Sequence, residues 1–349
     1  MGNILGRAAG WAAVLIIGWI SWAGADVPDT HHPQPQHASL ESATLSDQAV
    51  RISKPDIQLE TTFSLSVGLR QDSFEWSIAG HSDGTDPNVR SELTWSNVDS
   101  YQLQLSNRTC VESRLYFRAD FNYAWIQDGT LRDSDYNQDN RNGEYSRSIS
   151  ETSGDQLWDL SAGVGYPFFF INRRLMVAPL VGGSLHKQNF RITDGRQEIT
   201  WENGPTTESL AGLNTTYRAK WMGPWVGCDV RYLIAPVSKS GPAISVGVSM
   251  ELHWAAYEGD GNWNLRNNLE HPKSFEHEAD GHGIALGAEL LIVLRPDLDL
   301  RLSAGYQDWD TRSGTDRKFL SDGTTSETRL HDVDWDTHSV MVGLTYHFF

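Results

Sequence analysis

Two polar stretches carry side chains suited to hydrolytic chemistry. Residues 127–155 contain Arg132-Asp133-Ser134-Asp135-Tyr136, and residues 258–281 contain Asp260-Gly261-Asn262-Trp263 followed by His271 and His277, with His282 just beyond. Carboxylates and an imidazole held across a cleft orient a water molecule and accept its proton. A plainer reading competes, because Asp-x-Asp in a stretch rich in Asp, Asn and Gly also marks a turn or a solvated surface. Asn262 itself is no candidate base, because an amide has no nitrogen that accepts a proton near neutral pH. The elements that would hold these groups follow from the rest of the chain.

The first residues read as an export signal. Arg7 precedes an apolar run from Ala8 to Trp22, and Ala23-Gly24-Ala25 supplies small residues before Asp26, so cleavage is expected after Ala25 and residues 1–25 are excluded from the fold. Residues 26–56 are rich in Pro, His, Ser and Gln without apolar periodicity and are expected to form a mobile tail; His31, His32 and His37 there read as tail residues rather than a metal site. Beyond it, no apolar run has the length of about 18 residues that a spanning helix needs.

From Phe63 onward the apolar period is two. Phe63, Leu65, Val67 and Leu69 alternate with polar or small residues, as do Leu115, Phe117, Ala119 and Phe121, and then Ile244, Val246, Val248, Met250, Leu252 and Trp254. The opposite faces carry charge, including Glu251, His253, Glu289 and Arg301. Long amphipathic strands with charged inner faces fit a closed antiparallel transmembrane β-barrel, with lipid on one face and a polar interior on the other, and the segments number about ten strands over residues 57–349. A soluble β-sandwich is the competing all-β arrangement, but its strands are shorter and its apolar face is covered by a second sheet.

Connections alternate in length. Short links are expected at Asn107-Arg108, Asn172-Arg173, residues 238–242 and Pro296-Asp297; long polar ones at residues 72–90, 127–155, 193–214, 258–281 and 311–331. Short turns face the periplasm in such barrels, which puts five long loops on the cell surface of a bacterial outer membrane. The alternating end Val340, Val342, Leu344, Tyr346 and Phe348, closing on Phe349, is an aromatic terminus of the kind presented to the barrel insertion machinery. The formal charge of −17 makes nucleic acid an unsuitable partner. Cys110 and Cys228 would lie in an oxidising compartment, where they either pair or remain buried thiols within strands.

With these segments in order, the chain resembles the omptin family of ten-stranded outer-membrane endoproteases from about Phe63 to Phe348. The resemblance rests on Ser91-Glu92-Leu93-Thr94-Trp95, on Tyr217 through Pro224 to Gly227, and on Leu344-Thr345-Tyr346-His347-Phe348. It implies catalysis by a water held between an Asp pair on the second surface loop, matched by Asp133 and Asp135, and an Asp-x-His pair on the fourth, matched by Asp260 with Asn262 in place of the histidine. By the same resemblance, Glu144-Tyr145-Ser146-Arg147 matches the acidic and Ser-Arg stretch after the Asp pair. Glu75 and Glu144 fall near acids of a pocket for basic side chains, and Lys187 and Lys220 near cations that grip lipopolysaccharide phosphates.

The resulting expectation is an omptin-like surface barrel whose proteolytic site is degenerate, acting in binding, adhesion or envelope structure. An active endopeptidase using Asp133, Asp135 and Asp260 with a displaced histidine (His271, His277 or His282) is the first alternative, and a small porin the second. No metal or cofactor is expected; lipopolysaccharide is the expected structural or activating lipid, and a peptide or host-surface ligand the candidate external partner.

Overall fold

The computed structural model describes residues 59–202, 204–234 and 243–348. The expected signal peptide, the His-bearing tail and the link at residues 238–242 lie outside the described residues. Among the described residues fourteen antiparallel strands follow one another: β1 (Leu59–Ile78), β2 (Ser91–Val111), β3 (Leu115–Gln138), β4 (Asn142–Thr152), β5 (Gln156–Gly165), β6 (Phe168–Phe170) and β7 (Leu175–Thr200). They continue as β8 (Gly204–Pro205), β9 (Thr215–Ile234), β10 (Ile244–Asn262), β11 (Phe275–Arg295), β12 (Leu298–Thr311), β13 (Gly314–Phe319) and β14 (Thr325–Phe348). Strand β1 pairs with both β2 and β14, so the sheet closes on itself and no long edge is left to attract another chain. Because β4 and β5 both pair with β3 and β7, and β12 and β13 both pair with β11 and β14, each couple is one interrupted pass, and the ring has the ten passes that the periodicity implied.

Alternation sorts the side chains. Phe63, Leu65, Val67, Val248, Val340 and Val342 stand exposed on the outer wall, whereas Arg70, Arg118, Asp159, Asp229, Glu251 and Arg301 are buried inside. A lipid-covered exterior makes the first set favourable, and pairing makes the second tolerable. Arg70 donates to both oxygens of Asp72 at 2.8 Å and to Asp159 at 2.6 Å, and Asp159 also lies 3.0 Å from His186 Nδ1. Arg118 bridges Asp229 at 2.5 Å and Glu251, and the Tyr116 hydroxyl donates to the same Asp229. Arg301 and Arg231 share Glu289.

Toward the surface loops the interior turns apolar. Phe74, Trp95, Phe190 and Tyr217, from β1, β2, β7 and β9, meet with ring centroids 5.0–5.8 Å apart, and Trp221, Trp309 and Trp335 pack in the same cluster. These rings meet across the lumen and occlude it at that level. Gly283 makes room for this packing, since a Cβ there would lie 2.4 Å from the Trp309 ring.

The connections depart from the sequence reading in two ways. Asn107-Arg108 lies inside β2, opposite Ala119 and Arg118, and the turn comes at Glu112-Ser113, where both residues have positive φ. Further, two of the expected long loops, residues 127–155 and 311–331, are mostly strand: β3 and β4 form a hairpin through residues 127–152, tightened at Asn140-Arg141, two residues of left-handed backbone. Cys110 faces the interior at the periplasmic end and packs with Tyr116 and Trp225, whereas Cys228 lies on the opposite, outward face of β9; both are free thiols.

Candidate functional site

Matched bulges decide which side chains of the β3–β4 hairpin face inward. In β2, Ser100 and Val98 are buried, then the positive-φ residue Asn97 intervenes, and Trp95 and Leu93 take over the inner face. In β3 the pairing shifts between Ile126 and Thr130, so the residues facing the lumen change from even (Arg118, Ala124, Ile126) to odd, with Leu131, Asp133 and Asp135 lining the mouth, while Ser134 and Tyr136 are buried on the other face beside Glu92. A one-residue insertion reverses every later side chain, and here it turns the two aspartates into the mouth of the barrel.

They enter a cavity of about 190 Å³. One wall is polar and comes from adjacent strands: Asp133 stands opposite Ser148 and Asp135 opposite Ser146, with Gln197 of β7 next to them, its amide 3.1 Å from Ser146 Oγ. The other side is built from loops and is largely apolar, with Leu210, Leu213, Trp263 and Leu265, and it ends on the exposed Arg266. Asn264 ties these loops together, accepting from the Asn214 amide at 2.9 Å and donating to the Gly212 carbonyl at 2.8 Å. Leu131 and Ile192 form the floor above the aromatic layer.

Among the described residues, neither Asp133 nor Asp135 accepts a hydrogen bond or forms an ion pair with another residue. Burial, and after it the neighbouring Asp135 charge, push the Asp133 carboxyl up to about 7; Arg266 acts in the opposite sense. The site therefore offers two unpartnered carboxyl groups, serine hydroxyls and an apolar flank.

The remaining predicted residues stand elsewhere. Strand β10 carries its even-numbered residues outward, so Asp260 lies on the outer face, ion-paired to Arg218 at 2.6 Å, and Asn262 lies on the same face with its Oδ1 2.7 Å from His271 Nδ1. Of the three histidines, His271 is thus held by Asn262, and His282 is 3.2 Å from Asp310 on the outer wall. His277 is fully buried between Trp76, Tyr217 and Asp316. Among the described residues, no histidine lines the Asp133 cavity. The two expected pocket acids are separated from it as well. Glu75 is exposed on the outer face of β1, and Glu144 is bound by Arg147; burial opposes its ionisation, but the Arg147 and Ser134 bonds hold its carboxyl below the usual range. Lys187 and Lys220 do fall together: they are cross-strand partners on the outer wall, Lys187 over the Trp158 ring at 5.1 Å and Lys220 bonded to Glu258 at 3.1 Å.

Sequence reasoning named Ser146 and Trp263 only as members of matching segments, and missed Ser148, Gln197 and Arg266. A signal was present in Ser146-Arg147-Ser148-Ile149-Ser150, small hydroxyls at strand period inside a segment taken for a loop.

The family model for Protochlamydia outer membrane protein matches residues 64–348. The chain belongs to that family. It is therefore a bacterial outer-membrane protein, in keeping with the lipid-facing belt. No curated protein matches it in sequence. Among solved structures, the outer membrane protease OmpT from Escherichia coli is similar with a TM-score of 0.66 at 11% identity, over 84% of this chain and 97% of that one. At that identity the likeness shows a shared barrel fold and nothing about activity. OprG from Pseudomonas aeruginosa, at 11% identity and a TM-score of 0.32, covers 83% of this chain and 95% of that one. The translocator domain of the autotransporter NalP from Neisseria meningitidis, also 11% identical, has a TM-score of 0.30 over 83% of this chain and 88% of its own.

Proposed function

We propose that this family member is a surface-binding barrel which engages external ligands at the Asp133 cavity and does not hydrolyse them. One observation carries the reading: the two aspartates that the omptin resemblance would make catalytic share their cavity with no imidazole. A peptide hydrolase of that type needs a base across the cleft, and losing one typically costs a factor of about 10² to 10⁴. The endopeptidase alternative would require Asp260 to act, yet that carboxylate is turned outward onto Arg218. The porin alternative meets the aromatic layer that fills the lumen.

Incubating purified protein and lipopolysaccharide with a fluorogenic peptide bearing paired basic residues tests the proposal. The expected result is retention without turnover, with retention removed by the cavity-filling Ser148→Trp. Turnover that disappears in Asp133→Asn would overturn it, as would retention that Ser148→Trp leaves unchanged.

A further inference from the structure

The cavity is amphipathic across its width, and this bears on what it takes. Its polar wall presents acceptors on successive rungs of the sheet: Asp133 beside Ser148, then Asp135 beside Ser146. Its loop side presents Leu210, Leu213, Trp263 and Leu265. Two carboxylates within such a cavity are costly unless a cation joins them, because each loses hydration and repels the other. Among the described residues, the only cation in the lining is Arg266, which is exposed and makes no hydrogen bond to either carboxylate. With both acids ionised, two carboxylates and one arginine leave a single uncompensated negative charge, so one further monocation, in place of a proton on Asp133, brings the site to neutrality.

Resting on the reading of this cavity as a ligand site, we infer that it holds one primary alkylammonium group, as in a lysine side chain or a small alkylamine. The ammonium lies against Asp133 and Asp135, and the methylenes lie along Leu213, Trp263 and Leu265. An ammonium suits this wall better than a guanidinium. It is a compact charge with three donors pointing in different directions, which can reach acceptors stacked on successive rungs, whereas a planar guanidinium is matched to a single coplanar carboxylate. The Trp263 ring offers an additional attraction for a cation near its face.

Calorimetric titration of the refolded full chain with matched probes tests this. N-acetyl-lysine methylamide stands for the peptide source and n-butylamine for the free amine; N-acetyl-arginine methylamide and N-acetyl-norleucine methylamide keep, respectively, the charge and the chain length. At least one ammonium probe is expected to bind, whichever of the two binds more tightly identifies the source, and norleucine is expected not to bind. Asp133→Asn and Asp135→Asn, which preserve shape, are each expected to weaken the ammonium probe roughly tenfold or more, since each removes a charge from the contact. Equal binding of norleucine, tighter binding of arginine than of either ammonium probe, or unchanged affinity in both Asn variants would overturn the inference. So would absence of binding by both ammonium probes. If in that case the basic peptide is still retained in a manner that Ser148→Trp abolishes, the cavity remains the ligand site and only its ligand class is wrong.

Discussion

Acidification should release an ammonium ligand from the cavity over a range set by Asp133. Its carboxyl is pushed up to about 7, first by burial and then by Asp135, with Arg266 opposing. The groups facing it from the flanking strands are Leu93 of β2 and Ser148 of β4, neither of which titrates in this range, so the local response is that of the Asp133 and Asp135 pair. With that value, Asp133 is about 90% ionised at pH 8 and about 1% at pH 5, while an alkylammonium stays charged throughout. If binding needs the ionised form, the apparent affinity falls roughly ninetyfold between about pH 8 and about pH 5, most steeply below neutrality. The effect on the unliganded fold has the opposite sense. A carboxyl whose folded-state value is raised holds its proton more tightly when folded, so its contribution to stability is greatest in acid and is lost as the pH rises toward 7. Titrations of the ammonium probe at several pH values, in the parent and in Asp133→Asn, measure the first effect. A flat profile in the parent, or an equally steep one in Asp133→Asn, would refute the reasoning.

Other expectations follow from the interior and the outer wall. Arg118→Met leaves Asp229 and Glu251 buried without their shared partner, and should cost roughly 3–5 kcal/mol, seen as a lower temperature for the heat-modifiable shift on a gel. Trp335→Ala opens the stack with Trp309 and frees the hydrogen bond to Asp72; it should destabilise by roughly 3–5 kcal/mol and raise single-barrel conductance above that of the parent. Replacing both Lys187 and Lys220 by Gln should weaken lipopolysaccharide binding in a salt-sensitive way, and unchanged binding would remove that role. Asn262→His should leave peptide cleavage at background, because the new imidazole would face outward beside His271.

The membrane-spanning part of the fold was legible because lipid imposes a strict period. In β1, β10 and β14 every second residue contacts either lipid or a charged interior, and either environment penalises an exception, so Leu65, Val248 and Leu344 announce their strands plainly. Above the membrane that constraint relaxes. The β3–β4 hairpin has water, serine hydroxyls and carboxylates around it, so its alternation is between one polar residue and another. Asp133 and Ser134 differ in where they point but hardly in hydropathy, and residues 127–155 read as a loop for that reason.

The site was only half legible, for a geometric reason. The omptin resemblance singled out Asp133 and Asp135, but whether a strand residue faces in or out depends on every bulge before it. The shift near Asp128 brings the aspartate pair inward, whereas β10 runs from Val246 to Asn262 without a comparable interruption and carries Asp260 outward with the same parity that exposes Val248 and Trp254. Matching Asp260-x-Asn262 to a family motif fixed the order of those residues and not their side of the sheet. What meets Asp133 instead is the loop just beyond, where Trp263, Leu265 and Arg266 no longer obey strand parity and the chain folds back over the mouth. A cleft assembled from a bulged strand on one side and a loop on the other sets the two aspartates against an indole and leucines, and under the proposed reading it serves recognition of a cation and not chemistry that requires a base.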